Sequence, residues 1–163
     1  MSPVSPAVSS DSVPLPQPER SSVASVSVGI VLVSHSRALA EAALDLARRL
    51  IVAVDVPVEL AAGLADGGLG TDPGAVVEAV ERLAERCEGV LVLADLGSGV
   101  MSAEMALEML DPALAERTRL SAAPFVEGLL GAYGTAGIGK DLQAVAAEAD
   151  GAAEAKRSQV AAF

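Results

Sequence analysis

Aromatic residues are nearly absent from this chain: no Trp, one Tyr and two Phe among 163 residues. A core must therefore be assembled from Val, Leu, Ala and Met, which dominate a hydrophobic content of 52%. That palette suits Val-rich strands buried on both faces by Ala/Leu-rich helices. Cysteine is reduced to Cys87 alone, which excludes an internal disulfide. Histidine is also single, so a four-ligand Cys/His metal cluster cannot be built and no metal is expected. Positive charge is scarce, 11 Lys and Arg against 22 Asp and Glu, for a net charge of −11. Such a surface repels nucleic-acid phosphates and anionic lipid, and suits a protein partner with a basic face. No apolar run reaches the ~20 residues of a membrane span. The N-terminus has neither the basic nor the continuous apolar region of a signal peptide. A cytoplasmic protein is expected.

What is present divides into three stretches. Residues 1–25 concentrate Ser, Val and Pro (Pro3, Pro6, Pro14, Pro16, Pro18), a composition that predicts a disordered leader. Residues 26–150 alternate strand-length apolar runs with helical periodicity, and 151–163 are expected to fray. Val28 to Val33 reads as a buried strand ended by Ser34-His35-Ser36. Arg37 to about Val52 reads as a helix whose buried face carries Leu39, Ala43, Leu46, Ala47 and Leu50. Pro57–Ala62 is a second strand, followed by a glycine-rich loop from Gly63 to Thr71. Asp72-Pro73 has the cap and first-turn proline of a helix start, and Val76, Val77, Val80, Leu83, Ala84 and Cys87 form its apolar stripe. Gly89–Ala94 is a third buried strand, ended by Asp95-Leu-Gly-Ser-Gly99. Ser102 reads as the cap of the next helix, which runs toward Leu110. Arg117–Ala123 is a weaker fourth strand, and two helices fit Phe125–Tyr133 and Lys140–Asp150.

This alternation predicts a three-layer α/β fold. About four parallel strands in the order 2-1-3-4 form a doubly wound sheet with right-handed crossovers. In that order the carboxyl ends of the first and third strands are neighbours where the winding reverses, which is where ligands and chemistry gather. His35 follows the first strand and Asp95 the third, so the two are expected to meet across one cleft. His35 also precedes a helix, whose unpaired N–H groups attract anions. A carboxylate that takes a hydrogen bond from one ring nitrogen fixes the tautomer and leaves the other lone pair free as a nucleophile. Ser34, Ser36, Gly70-Thr71 and Gly97-Ser98 are expected to hold phosphoryl oxygens, and phosphoryl transfer needs little beyond positioning and charge stabilisation. Residue types alone leave the plainer reading open, a solvated loop histidine and a helix-capping aspartate.

Other motifs carry less. Gly97-Ser-Gly99 is no complete dinucleotide fingerprint, and Gly137-Ile-Gly-Lys140 lacks the P-loop spacing. Neither Ser34 nor Ser36 has a second histidine to act as a hydrolase base. Cys87, on an apolar stripe, reads as core, and Met101, Met105 and Met109, at helical spacing, as core or subunit contact.

The ordered set Val-Ser-His-Ser (33–36), Gly-Thr-Asp (70–72), Asp-Leu-Gly-Ser (95–98), Ser-Ala-Glu-Met-Ala-Leu-Glu (102–108) and Ala-Pro-Phe-Val-Glu-Gly (123–128) resembles a known family over about Val26 to Asp150. It is the phosphotransferase subunit of the phosphoenolpyruvate-dependent dihydroxyacetone kinase, related to the mannose-type enzyme IIA domains of the sugar phosphotransferase system (PTS). The resemblance implies that His35 is phosphorylated as tele-phosphohistidine by the phosphocarrier HPr, itself charged by enzyme I, with Asp95 orienting the ring. The phosphoryl group would pass to ADP on the nucleotide-binding kinase subunit, and the ATP formed would phosphorylate dihydroxyacetone on a third subunit. ADP/ATP and Mg belong to those partners, and this subunit binds no cofactor. A homodimer is implied. Some relatives carry fused HPr-like and enzyme I-like domains, which are expected here as separate proteins. The exchanged antiparallel strand of mannose-type domains has no clear counterpart after Ala123. A sugar-transport enzyme IIA feeding a IIB domain, and a non-catalytic phosphorylation-state sensor, are the alternative functions.

Overall fold

The computed structural model describes residues 27–52 and 55–162, so the expected leader lies outside the described residues. Four strands, β1 (Val28–Ser34), β2 (Val58–Ala62), β3 (Gly89–Ala94) and β4 (Thr118–Leu120), form one all-parallel sheet ordered β2-β1-β3-β4. Among the described residues six helices connect and follow them: α1 (Arg37–Leu50), α2 (Pro73–Ala84), α3 (Gly97–Met109), α4 (Pro112–Ala115), α5 (Phe125–Gly137) and α6 (Leu142–Ala161). The three-layer, doubly wound architecture is the expected one.

Both faces of the sheet are covered, so β1 up to Val33 and all of β3 are apolar, yet their side chains still alternate. Ile30, Leu32, Leu91 and Leu93 point to the layer of α1, α5 and α6, with Tyr133 and Leu129. Val31, Val33, Val90 and Val92 point to the layer of α2 and α3, with Val76, Val80 and Leu83. Cys87 belongs to this interior at 6% exposure. Burial pushes its thiol up, against the lowering influence of Arg86 and Arg117.

Several helix expectations are corrected. The buried face of α1 is Ala40, Ala43, Leu44 and Ala47, while Leu39, Leu46 and Leu50 are 44%, 40% and 62% exposed. These four stand at i, i+3, i+4 and i+7, and three of them are alanines that let the helix lie close to the sheet, so ranking by bulk picks the wrong side. In α2, Asp72 caps as expected and Pro73 opens the helix; Ala79 joins the stripe, and Val77 and Ala84 are half-buried. Ser102 is not a cap: α3 begins five residues earlier at Gly97, without a side-chain cap, where glycine's low helix propensity hides the start. Met101, Met105 and Met109 are 63%, 55% and 61% exposed and are not core. The fourth strand has three residues rather than seven. Helix α5 runs through Gly134 to Gly137. Helix α6, capped by Asp141, continues past Asp150 to Ala161, so the segment expected to fray is helical.

Gly128 shows how tightly the β4–α5 connection is packed. A Cβ there would lie 2.5 Å from the Cβ of Ala123. Gly128→Ala is therefore expected to cost about 1–3 kcal/mol through overpacking, outweighing the helix-propensity gain of about 1 kcal/mol. Urea unfolding measures it, and a stabilised variant would contradict the close fit.

Candidate functional site

The 2-1-3-4 order sets the ends of β1 and β3 side by side, and the chain exploits this at once. Asp95 N–H donates to Val33 O at 3.1 Å, extending the parallel ladder one residue beyond β3. The Asp95 side chain is thereby delivered to the residue that follows β1. Its carboxylate, 4% exposed, accepts four hydrogen bonds. Oδ1 takes the His35 ring Nδ1 at 2.9 Å and the Leu96 backbone N–H at 2.7 Å. Oδ2 takes the His35 backbone N–H and the Ser34 hydroxyl, both at 2.9 Å. Burial pushes the Asp95 carboxyl up, but the hydrogen bonds from the His35 N–H, the His35 ring, Ser34 and Leu96 together outweigh it and hold it below the usual carboxylate range.

An ionised Asp95 can only accept, so in the neutral ring Nδ1 carries the proton and Nε2 the lone pair. Nε2 is 2.6 Å from the Ser98 hydroxyl, which donates to it. The ring is 25% exposed, and Ser98 is an exposed first-turn residue of α3. No side chain caps α3, and its first turn brings Ser98 to the imidazole, a setting that favours an anion.

The remaining expected site residues divide. Ser34 is fully buried and its hydroxyl serves Asp95. Ser36 caps α1, accepting from the Leu39 N–H at 3.3 Å. Gly70 N–H donates to His35 O at 2.9 Å, and the positive φ of 156° at Gly70 suits glycine. The Thr71 hydroxyl pairs with that of Ser102 at 2.8 Å, tying the glycine-rich loop to α3 one turn on from Ser98. Gly97 opens α3. Thus Asp95, Ser34 and Ser98 converge on His35, whereas the hydroxyls of Ser36 and Thr71 serve the scaffold.

Three contributors escaped sequence reasoning. Leu96 acts through its backbone N–H and carries no side-chain signal. Ser102 matters through Thr71. At Gly99, a Cβ would lie 2.9 Å from Asp95 Oδ1, so a side chain would press on the carboxylate. The Asp-Leu-Gly-Ser-Gly run directly after a strand was the available hint.

Matched against known families, residues 29–146 fit the model of the PTS system fructose IIA component, EIIA-man; the chain belongs to this family. Two relatives, from Klebsiella michiganensis and Escherichia coli K12, are each called PEP-dependent dihydroxyacetone kinase, phosphoryl donor subunit DhaM. Both are 44% identical over 135 residues, which make up 82% of this chain and 28% of theirs. The chain therefore spans little more than a quarter of these relatives. A phosphoryl donor subunit DhaM of PEP-dependent dihydroxyacetone kinase 2 from Listeria innocua is 36% identical over 101 residues, 62% of this chain and 79% of its own. A solved structure described as the unknown function protein EF1359 superposes with a TM-score of 0.69 at 32% identity, covering 76% of this chain and 92% of that one.

Proposed function

We propose that this chain is the phosphohistidine-carrier part of a dihydroxyacetone kinase phosphoryl donor subunit. His35 takes a phosphoryl group from phosphorylated HPr and hands it to ADP bound on the nucleotide-binding kinase subunit. The observation that carries the reading is the Nδ1–Asp95 hydrogen bond, which leaves the Nε2 lone pair as the nucleophile. In the transfer, Nε2 bonds to phosphorus as the nitrogen–phosphorus bond to the donor imidazole breaks, and the donor ring leaves neutral. The His35 ring, now substituted at Nε2 and protonated at Nδ1, becomes cationic, and Asp95 offsets that charge. Ser98 swings from Nε2 to a phosphoryl oxygen, and the leading N–H groups of α3 stabilise the others. In the second step a β-phosphate oxygen of ADP attacks the phosphorus, the bond to Nε2 breaks, and the ring returns to neutral. Mg and the nucleotide belong to the partner subunit in this scheme. A cytoplasmic homodimer completes it.

The test is incubation with phosphoenolpyruvate, enzyme I and HPr, followed by intact mass and then by each acceptor. One phosphoryl group, lost in acid and kept in base, is expected to appear and then to pass to the ADP-loaded kinase subunit. The family description also fits a sugar-transport enzyme IIA. Transfer solely to a sugar-specific IIB domain would decide for that reading.

Gly99→Ala probes the placement of Asp95. Because a misplacement near 1 Å can cost up to ~10²-fold in rate, this substitution is expected to slow phosphorylation by about tenfold. Stopped-time labelling measures it, and a wild-type rate would mean that the carboxylate tolerates displacement.

A further inference from the structure

Helix α3 carries Ser98 to the imidazole, yet little in its own packing fixes where that turn stands. Its buried residues are Gly99, Ser102, Ala103 and Ala106, whose side chains are too short to raise the ridges by which helices interlock. Its N-terminus has no side-chain cap. Among the described residues, two side-chain hydrogen bonds tie α3 to other elements: Ser98 to His35 Nε2 at 2.6 Å, and the hydroxyl of Ser102 to that of Thr71 at 2.8 Å. Ser98 and Ser102 are four residues apart, hence neighbours on one face of the helix. Whatever holds Ser102 therefore holds Ser98 one turn away.

The other end of that bond is anchored to the histidine. Gly63 N–H donates to Ser34 O at 3.0 Å and Gly70 N–H to His35 O at 2.9 Å, so the loop after β2 grips two consecutive carbonyls at the end of β1. Between these grips the loop braces itself, with Leu64 N–H on Gly68 O and Gly67 N–H on Leu64 O, both at 2.9 Å. Thr71 follows directly, and Asp72 then caps α2, so Thr71 is held on both sides. A closed circuit results, from the His35 carbonyl through Gly70, Thr71, Ser102 and Ser98 back to His35 at Nε2. We infer that the Thr71–Ser102 hydroxyl pair is a positioning device for phosphoryl transfer: it registers α3 against the loop that holds the His35 backbone, and so sets Ser98 at Nε2. The inference rests on the carrier reading, in which Ser98 moves from that nitrogen to a phosphoryl oxygen. A donor held slightly out of place meets the transferring group poorly.

Removing both hydroxyls at once separates position from stability, because replacing two mutual partners by apolar groups of the same shape is nearly neutral for folding. Thr71→Val/Ser102→Ala is expected to keep the wild-type unfolding midpoint and to be phosphorylated about fivefold more slowly. The loss should fall on kcat, with the apparent KM for phosphorylated HPr unchanged. It should be equal for phosphoramidate, a small-molecule phosphoryl donor that needs no protein surface. Thr71→Ser, which keeps the hydroxyl, is expected to react at the wild-type rate. In a Ser98→Ala background, itself slowed, Thr71→Val should cost nothing further, since its effect passes through Ser98. Glu104→Gln, exposed on α3, is the control and should leave the rate unchanged. The inference is overturned by a wild-type rate in the double variant, or by a rate loss that accompanies a fall in its unfolding midpoint. It is also overturned if the effects of Thr71→Val and Ser98→Ala simply multiply, because the hydroxyl pair then acts elsewhere. Wild-type protein labelled by neither donor would sink the carrier reading itself, and the positioning role with it.

Discussion

A His35→Gln protein is expected to fold and to take up no phosphoryl group from any donor. Glutamine can still donate an amide N–H toward Asp95 Oδ1, replacing the ring Nδ1 contact of 2.9 Å. The neighbours of the ring lose little, because it is partly exposed at 25%. What disappears is the nitrogen lone pair: an amide nitrogen is delocalised into its carbonyl and is no nucleophile, whereas a neutral imidazole held at Nδ1 presents one at Nε2. With one histidine in the chain, no second imidazole can substitute. Intact mass after incubation with the charged donor, alongside a wild-type unfolding midpoint, checks both halves. An acid-labile, base-stable phosphate on His35→Gln would place the acceptor elsewhere and end the proposal.

Asp95→Asn is expected to slow phosphoryl transfer by about 10²-fold or more, the scale of other orienting carboxylates. It should also cost stability, for a reason the four-donor arrangement makes plain. His35 N–H, the His35 ring, the Ser34 hydroxyl and Leu96 N–H all point at this carboxylate. An asparagine has one oxygen to receive them and turns an NH₂ group toward the other two, so donors face donors. Leaving such groups unsatisfied costs about 1–3 kcal/mol. The pH dependence has a definite sign. The carboxyl of Asp95 is held below its ordinary value in the folded protein, so its contribution to stability is complete above the ordinary carboxylate pKa of about 3.9. It is then lost as pH falls through the folded value. The stability gap between wild type and Asp95→Asn should therefore narrow below about pH 4, as followed by urea unfolding at several pH values. A gap that widens there would contradict the assignment.

The architecture could be read from the chain because a buried parallel strand announces itself. Val28–Val33 and Gly89–Ala94 are unbroken apolar runs of strand length, and a parallel partner requires an intervening helix, which the stripe of Val76, Val80 and Leu83 supplied. From that alternation the 2-1-3-4 order followed by connection rules, and the meeting of His35 with Asp95 followed from the order. Helix detail was harder to read. The buried face of α1 is mostly alanine, so ranking side chains by bulk rotates that helix, and the glycines opening α3 carry little helix propensity, so that helix is started late. In the site, Ser36 and Thr71 looked like phosphate ligands because hydroxyls near a histidine suggest it. The backbone geometry commits them instead to capping α1 and to pairing with Ser102.

Periodicity, local propensity and the scarcity of histidine settle, within the chain itself, which class of sheet forms, where its strands end and which side chain is the nucleophile candidate. These are properties of short segments, and short segments suffice to express them. The tertiary structure alone decides that Asp95 answers four donors rather than one, that Gly99 must lack a side chain, and that Ser98 rather than Ser34 or Ser36 reaches Nε2. Each of these depends on angstrom-scale distances between segments far apart in sequence. Hydrogen bonds and packing read such distances, and residue order does not record them.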